Sequence, residues 1–138
     1  MDTLDFGPAT TAVARLVAGV RDDQLGDPTP CTDTSVADML DHIGGFPTAF
    51  IAAARKQRLG PAAAPHADGA NLDDDFRERI AGDLAELAEA WRDPAAYTGM
   101  TQAGPADLPG EVAALVALDE LEPGHVTQLQ RLEPRPRK

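Results

Sequence analysis

The apolar positions Val13, Leu16, Val17 and Val20 recur at i, i+3, i+4 and i+7, which places them on one face of a helix. They predict a first helix from about Pro8 to Arg21, with Pro8 near the first helical position, where its missing N–H costs nothing. Gly26-Asp27-Pro28-Thr29-Pro30 then breaks the chain. A second helix starts at a capping box. The Ser35 hydroxyl can accept from the backbone near Asp38, and the Asp38 carboxylate can reach back. Val36, Met39, Leu40, Ile43, Phe46 and Phe50 give it a broad apolar face that ends near Leu59-Gly60. Pro47 inside this run removes one helix hydrogen bond and crowds the carbonyl of Ile43, so a kink is expected close to His42.

From Gly60 to Ala70 the chain is Ala, Pro, Gly and Asp without a period, which reads as a flexible loop. A third helix is predicted over about Leu72 to Arg92, where Phe76, Ile80, Leu84, Leu87 and Trp91 form the cleanest stripe in the chain. Asp73-Asp74-Asp75 fall in its first turn, where the helix dipole favours negative charge; capping is preferred to a metal cluster there. A fourth helix starts near Pro109, carries Val112, Leu115, Val116 and Leu118, and stops by Leu121 or Glu122 ahead of Pro123-Gly124. Neither an internal repeat nor a strand alternation is evident. Four amphipathic helices must bury their stripes against one another, so the expectation is an all-α four-helix bundle over 1–122, followed by an irregular tail over 123–138.

With 138 residues the chain has the size of one domain. Its single cysteine, Cys31, excludes an internal disulfide framework and fits a reducing compartment. No basic start leads into an apolar run, and no stretch approaches the roughly 20 apolar residues of a membrane span, so the expected location is the cytoplasm. A formal net charge of −11 and 4% aromatic residues leave neither a basic groove nor stacking platforms, which argues against nucleic acid as a partner.

Three histidines are present. His66 lies in the Ala/Pro loop and reads as a solvated side chain. His42 lies between Met39, Ile43 and Phe46 on the inward side of the second helix, where a hydrogen-bonded core residue is the commoner reading and a metal ligand the alternative. Glu120 is four residues beyond Val116 and eight beyond Val112, so on that stripe its carboxylate projects from the apolar face. A carboxylate in such a place is paired, protonated or metal-bound, because an unpaired buried one costs several kcal/mol. If Leu115 and Leu118 define the face instead, Glu120 sits at its edge. Cys31 has no base beside it in the sequence and is left out of the site.

The segments Asp22-Asp23-Gln24-Leu25, Pro28-Thr29-Pro30-Cys31 and Ser35 to His42 together resemble the DinB-like superfamily, and within it the actinobacterial proteins related to mycothiol-dependent maleylpyruvate isomerase. Ala90-Trp91-Arg92-Asp93-Pro94, Gly99-Met100, Leu108-Pro109-Gly110-Glu111 and Leu118-Asp119-Glu120-Leu121 fit the same group, and the resemblance spans about residues 8 to 121. It implies a four-helix bundle carrying a divalent metal, zinc first, with nickel or iron as alternatives. The ligands it implies are a histidine on the second helix and a later pair, Glu or His followed four residues on by His. His42 matches the first and Glu120 the second. Three protein ligands with one open position suit a catalytic zinc, and in thiol-dependent members the open position takes a low-molecular-weight thiol such as mycothiol.

This chain departs from that pattern at three points. Four residues beyond Glu120 stands Gly124; His125 comes one residue late, after Pro123. A tryptophan that commonly precedes the helix-two cap is Thr34 here, and the usual Gly-Trp-Asp-Leu-like continuation is replaced by an Arg/Pro-rich end, so the C-terminus reads as truncated or altered. The expected function is a divalent-metal-binding bundle acting as a thiol-dependent transferase or isomerase, with His42 the firm ligand, Glu120 second and His125 weak. A non-catalytic family member serving as an interaction module is the alternative. A small-molecule substrate or thiol is the expected partner, and the number of subunits is left open, a dimer among the options.

Overall fold

The computed structural model describes residues 3–29, 34–58, 68–103 and 106–130. Five helices carry the fold: α1 Gly7–Ala18, α2 Val36–Ala54, α3 Phe76–Ala90, α4 Gly110–Asp119 and a short α5 Val126–Gln130. The first four form the expected bundle, with α1 and α2 packed on α3, and α5 lying against α1.

Local sequence signals set the two longest helices. At the start of α2 the Ser35 hydroxyl accepts from the Asp38 N–H at 3.1 Å and the Asp38 carboxylate accepts from the Ser35 N–H at 3.1 Å, so both halves of the capping box are made. α2 then runs uninterrupted through Pro47 and buries residues on most sides, among them Leu40, Ile43, Phe46 and Phe50. In α3 the stripe Phe76, Ile80, Leu84, Leu87 and Trp91 is buried throughout. The acidic run ahead of it is not in the helix: α3 begins at Phe76, and Asp73 pairs with Arg79 from the preceding turn. Arg77 reaches back from α3 to the Val20 carbonyl and the Asp22 carboxylate, tying α3 to the end of α1.

The bundle closes around Trp91. Phe6 stacks on its indole with ring centroids 5.8 Å apart, and Tyr97 meets it edge-on at 5.3 Å. The indole N–H donates to the Phe50 carbonyl at 3.1 Å, the Tyr97 hydroxyl donates to the Trp91 carbonyl, and the same hydroxyl accepts from the Leu4 N–H. Each polar atom in this aromatic cluster thus has a partner, which such burial requires.

Three features depart from the expectation. Between α3 and α4 lies an antiparallel hairpin, β1 Met100–Ala103 against β2 Ala106–Pro109, where no strand signal was read. Each strand has four residues, too short for alternation to register, and β1 buries Thr101, Gln102 and Ala103 together. The Thr101 hydroxyl donates to the Ala53 carbonyl, docking the hairpin on α2.

The second departure is the face α4 buries. Val112, Leu115 and Val116 are exposed, while Gly110, Ala113, Ala114 and Ala117 face inward together with Leu121. Close approach selects these small residues. A Cβ on Gly110 would overlap the Ala96 carbonyl and lie 3.0 Å or less from Tyr97 backbone atoms. Neither of the two faces considered from spacing is the buried one.

The third is the chain after Glu122. In place of an irregular tail from residue 123, a wide turn over Glu120–His125 leads into α5, with Val126 and Leu129 buried; residues 131–138 lie outside the described ones. Apolar spacing misses this helix because it is only five residues long and follows a Pro-Gly pair.

Replacing Trp91 with alanine should destabilise the bundle by about 3–5 kcal/mol in urea unfolding, since the groups around the ring come from four different segments and cannot all collapse into the space. Native wild type should show blue-shifted tryptophan emission. A maximum typical of indole in water would contradict the placement.

Candidate metal centre

α2 presents His42 beside the fully buried Ile43, with the ring half-buried. On the opposite wall the wide turn that follows α4 delivers His125, which retains only 4% of its surface in contact with solvent. The two imidazoles meet edge to face, centroids 6.0 Å apart at 85°. Phe46, one helical turn along α2 from His42, closes the far side of His125 in a second edge contact at 5.0 Å. The His125 Nδ1 is buried and has no hydrogen-bond partner. Buried ring nitrogens are rarely left so, which marks this one as awaiting a ligand.

The electrostatics follow from this enclosure. Burial, reinforced by the neighbouring His42 charge, pushes the His125 imidazole down to about 4, so the ring is neutral and its nitrogen available to a metal at ordinary pH. Glu120 closes α4 and keeps much of its surface in water. Partial desolvation raises its carboxyl above the usual range, the His42 charge pulls it back, and Asp119 adds to the rise. Glu120 therefore senses His42 electrostatically.

Of the three residues singled out from sequence, His42 and His125 are in ring contact. Among the described residues no three His, Cys, Asp or Glu side chains are grouped so as to hold a metal ion, so Glu120 does not complete a triad with them. The position of His125 differs from what its place after Pro123 suggested: it is a buried partner of His42 rather than a loose loop residue. A divalent ion suits the donors present, two imidazoles of which one carries an orphaned nitrogen, and a carboxylate close enough to feel the first imidazole. Cys31 and His66 lie outside the described residues.

One residue beside the site escaped the sequence reading. Asp41 precedes His42 and is buried, yet its carboxylate accepts from the Asp68 N–H at 2.9 Å and from the Asn71 side chain at 3.3 Å. Asp38 adds a bond from the Gly69 N–H at 2.7 Å, so two carboxylates three residues apart on α2 pin the returning chain. Their spacing places them on one helix face, and that was the available signal. The open cavity of about 590 Å³ bounded by Asp22, Leu25, Ser35, Gly69, Asp73 and Phe76 includes none of the three candidate ligands.

Residues 6–122 match the family described as the mycothiol maleylpyruvate isomerase N-terminal domain. Among curated proteins, an uncharacterized protein recorded in each of two strains of Mycobacterium tuberculosis is 49% identical over 37 residues, 27% of this chain and 20% of that protein. Among solved structures, crystal structures of the mycothiol-dependent maleylpyruvate isomerase superpose with a TM-score of 0.67, and of 0.69 for a mutant form, at 14% and 15% identity. Each likeness covers 88% of this chain and 56% of the other, so the chain spans little more than half the length of those structures and a fifth of the curated relatives. At such identity the superposition shows the fold.

A pH dependence follows from His125. The unfolded chain takes up a proton on this imidazole below about 6.5, whereas the folded protein does so only near 4. Between these values the unfolded state holds more protons, so stability is intact above pH 6.5 and declines as the pH falls toward 4. The loss due to this group should total about 3 kcal/mol. Urea unfolding at pH 7.5, 6, 5 and 4 should show the decline in wild type and a flatter profile in His125→Phe. Parallel profiles would assign the decline to other groups.

Proposed function

As the chain belongs to the mycothiol maleylpyruvate isomerase N-terminal domain family, we propose that it binds a divalent metal, zinc first, through His42, His125 and Glu120 and serves thiol-dependent transfer or isomerisation. One observation carries the reading: a buried imidazole with an orphaned nitrogen sits against a second imidazole on another helix. The metal-free alternative for two facing histidines is a hydrogen-bonded pair, and the orphaned Nδ1 does not take part in one.

A bound divalent ion lowers the pKa of a thiol and so presents a thiolate, mycothiol being the co-substrate the family suggests. The protein's own residues supply the rest. His42, on a helix whose start is fixed by the Ser35–Asp38 box, gives a rigid first ligand. His125 is held neutral by burial, which spares the site a competing proton. Phe46 covers one side of that ring and keeps water from it. Glu120, more exposed, is the adjustable member and the one an incoming thiol or substrate reaches first. No helix among the described residues is long and apolar enough to cross a membrane, and with a single cysteine in the chain a reducing, cytoplasmic setting fits the thiol chemistry. A non-catalytic role is the second reading, favoured by the lack of a closed three-ligand group among the described residues.

Zinc, nickel and iron measured by elemental analysis after purification should reveal a bound ion in wild type. His42→Ala and His125→Ala should each weaken binding on the order of a hundredfold, close to 3 kcal/mol, and Glu120→Ala less. Chelation should leave the helical circular dichroism intact, because packing holds the bundle. Full metal content in His42→Ala would remove the proposed site.

A further inference from the structure

Glu120 and His125 are five residues apart, and in an uninterrupted α-helix such residues point about 140° away from one another. The chain between them is not an α-helix. It is one wide turn of the π type, in which Glu122 leaves helical geometry at φ −143°, ψ 115°. Pro123 has no N–H and so cannot donate to the Asp119 carbonyl, the acceptor an α-helix would assign to that position. Gly124 comes up to this carbonyl in its place, so closely that a Cβ on it would lie 3.2 Å from the oxygen. Closure over five residues instead of four absorbs one residue. Beyond the turn, His125 is buried against His42 and Phe46, and Val126 and Leu129 return to the core.

We propose that the Glu120–His125 turn is a register device: it takes up one surplus residue so that His125 arrives on the His42 side of the bundle, with Pro123 forcing the wide closure and Gly124 permitting it. Its value for metal binding rests on the function proposed above; the placement of His125 does not. Pro123 and Gly124 are therefore positioning residues and touch no ligand themselves.

The device has an unusual consequence for chain length. Deleting Pro123 places a glycine N–H four residues after Asp119 and leaves His125 four residues after Glu120, so an ordinary α-helical turn now does what the wide turn did. Inserting one alanine between Leu121 and Glu122 leaves two surplus residues, which the turn cannot absorb. Gly124→Val keeps the length but places a branched side chain against the Asp119 carbonyl. The readout is carbethoxylation of histidines by diethylpyrocarbonate, assigned by peptide mass spectrometry, with Trp91 emission reporting the bundle and cobalt(II) absorption reporting the metal.

In wild type and the Pro123 deletion His125 should be modified at least tenfold more slowly than the half-buried His42. In the insertion and in Gly124→Val it should react at a rate comparable to His42 while Trp91 emission stays native. Equal exposure of His125 in the deletion and the insertion overturns the proposal, and so does protection in both. Loss of the folded bundle in the deletion overturns it too, since the turn would then be needed for folding rather than for register. If cobalt binds none of these proteins, the metal reading falls, and the protection pattern of His125 still decides the register.

Discussion

The fold depends on enclosing one indole. Trp91 stands at the end of α3, where Phe6 precedes α1, Phe50 lies on α2 and Tyr97 leads into the hairpin, and all of them bear on its ring, its N–H or its carbonyl. The hydrophobic effect alone is indifferent to direction; here the indole N–H and the Tyr97 hydroxyl add two directional bonds inside the apolar cluster. These fix how α2 and α3 align, and through the segment after Tyr97 they also set where the hairpin and α4 begin. The aromatic cluster and the histidine pair occur on the same helix, with Phe46 and Phe50 in ring contact at 4.6 Å between them. Rigidity at Trp91 is therefore passed along α2 to Phe46 and the ring of His125.

What was legible beforehand was what short stretches of sequence encode. The stripe from Phe76 to Trp91 is a large-residue pattern on one helix, and the Ser35–Asp38 box is a contact between neighbours. Either can be seen without knowing what lies opposite. The buried face of α4 could not, because a hydrophobicity pattern ranks Val112, Leu115 and Val116 above alanine, whereas distance to the neighbouring backbone decides which face turns inward. The hairpin was hidden for a related reason: its inward side chains include Thr101 and Gln102, whose burial depends on partners supplied by tertiary contacts, as the Ala53 carbonyl is for Thr101.

The site shows the same division. His42 was readable as an inward residue because it lies in a strongly periodic helix. Glu120 was placed on a stripe that turned out to face solvent, yet it still lies within the electrostatic influence of His42. His125 was read as loose because Pro123-Gly124 usually ends a helix, and here the break is used to redirect the chain instead of releasing it. The three side chains are consequently unlike one another in environment. One imidazole is enclosed and neutral, one is half-buried, and the carboxylate is largely in water. A site so graded from dry to wet has an open side and a closed side, and an incoming group approaches along the carboxylate.

The alanine face of α4 has a consequence for how sequences of this kind can diverge. Its outer positions, Val112, Leu115 and Val116, make no demand on the interior and are free to drift among polar and apolar residues. The inner positions Ala113, Ala114 and Ala117 are not, because each added methyl must be accommodated by moving the whole helix outward. Since the turn carrying His125 is the direct continuation of α4, such a displacement would reach the histidine pair before it cost the fold. Substitutions that look conservative, alanine to valine on the inner face, are thus a route by which a lineage could keep this bundle and lose its chemistry.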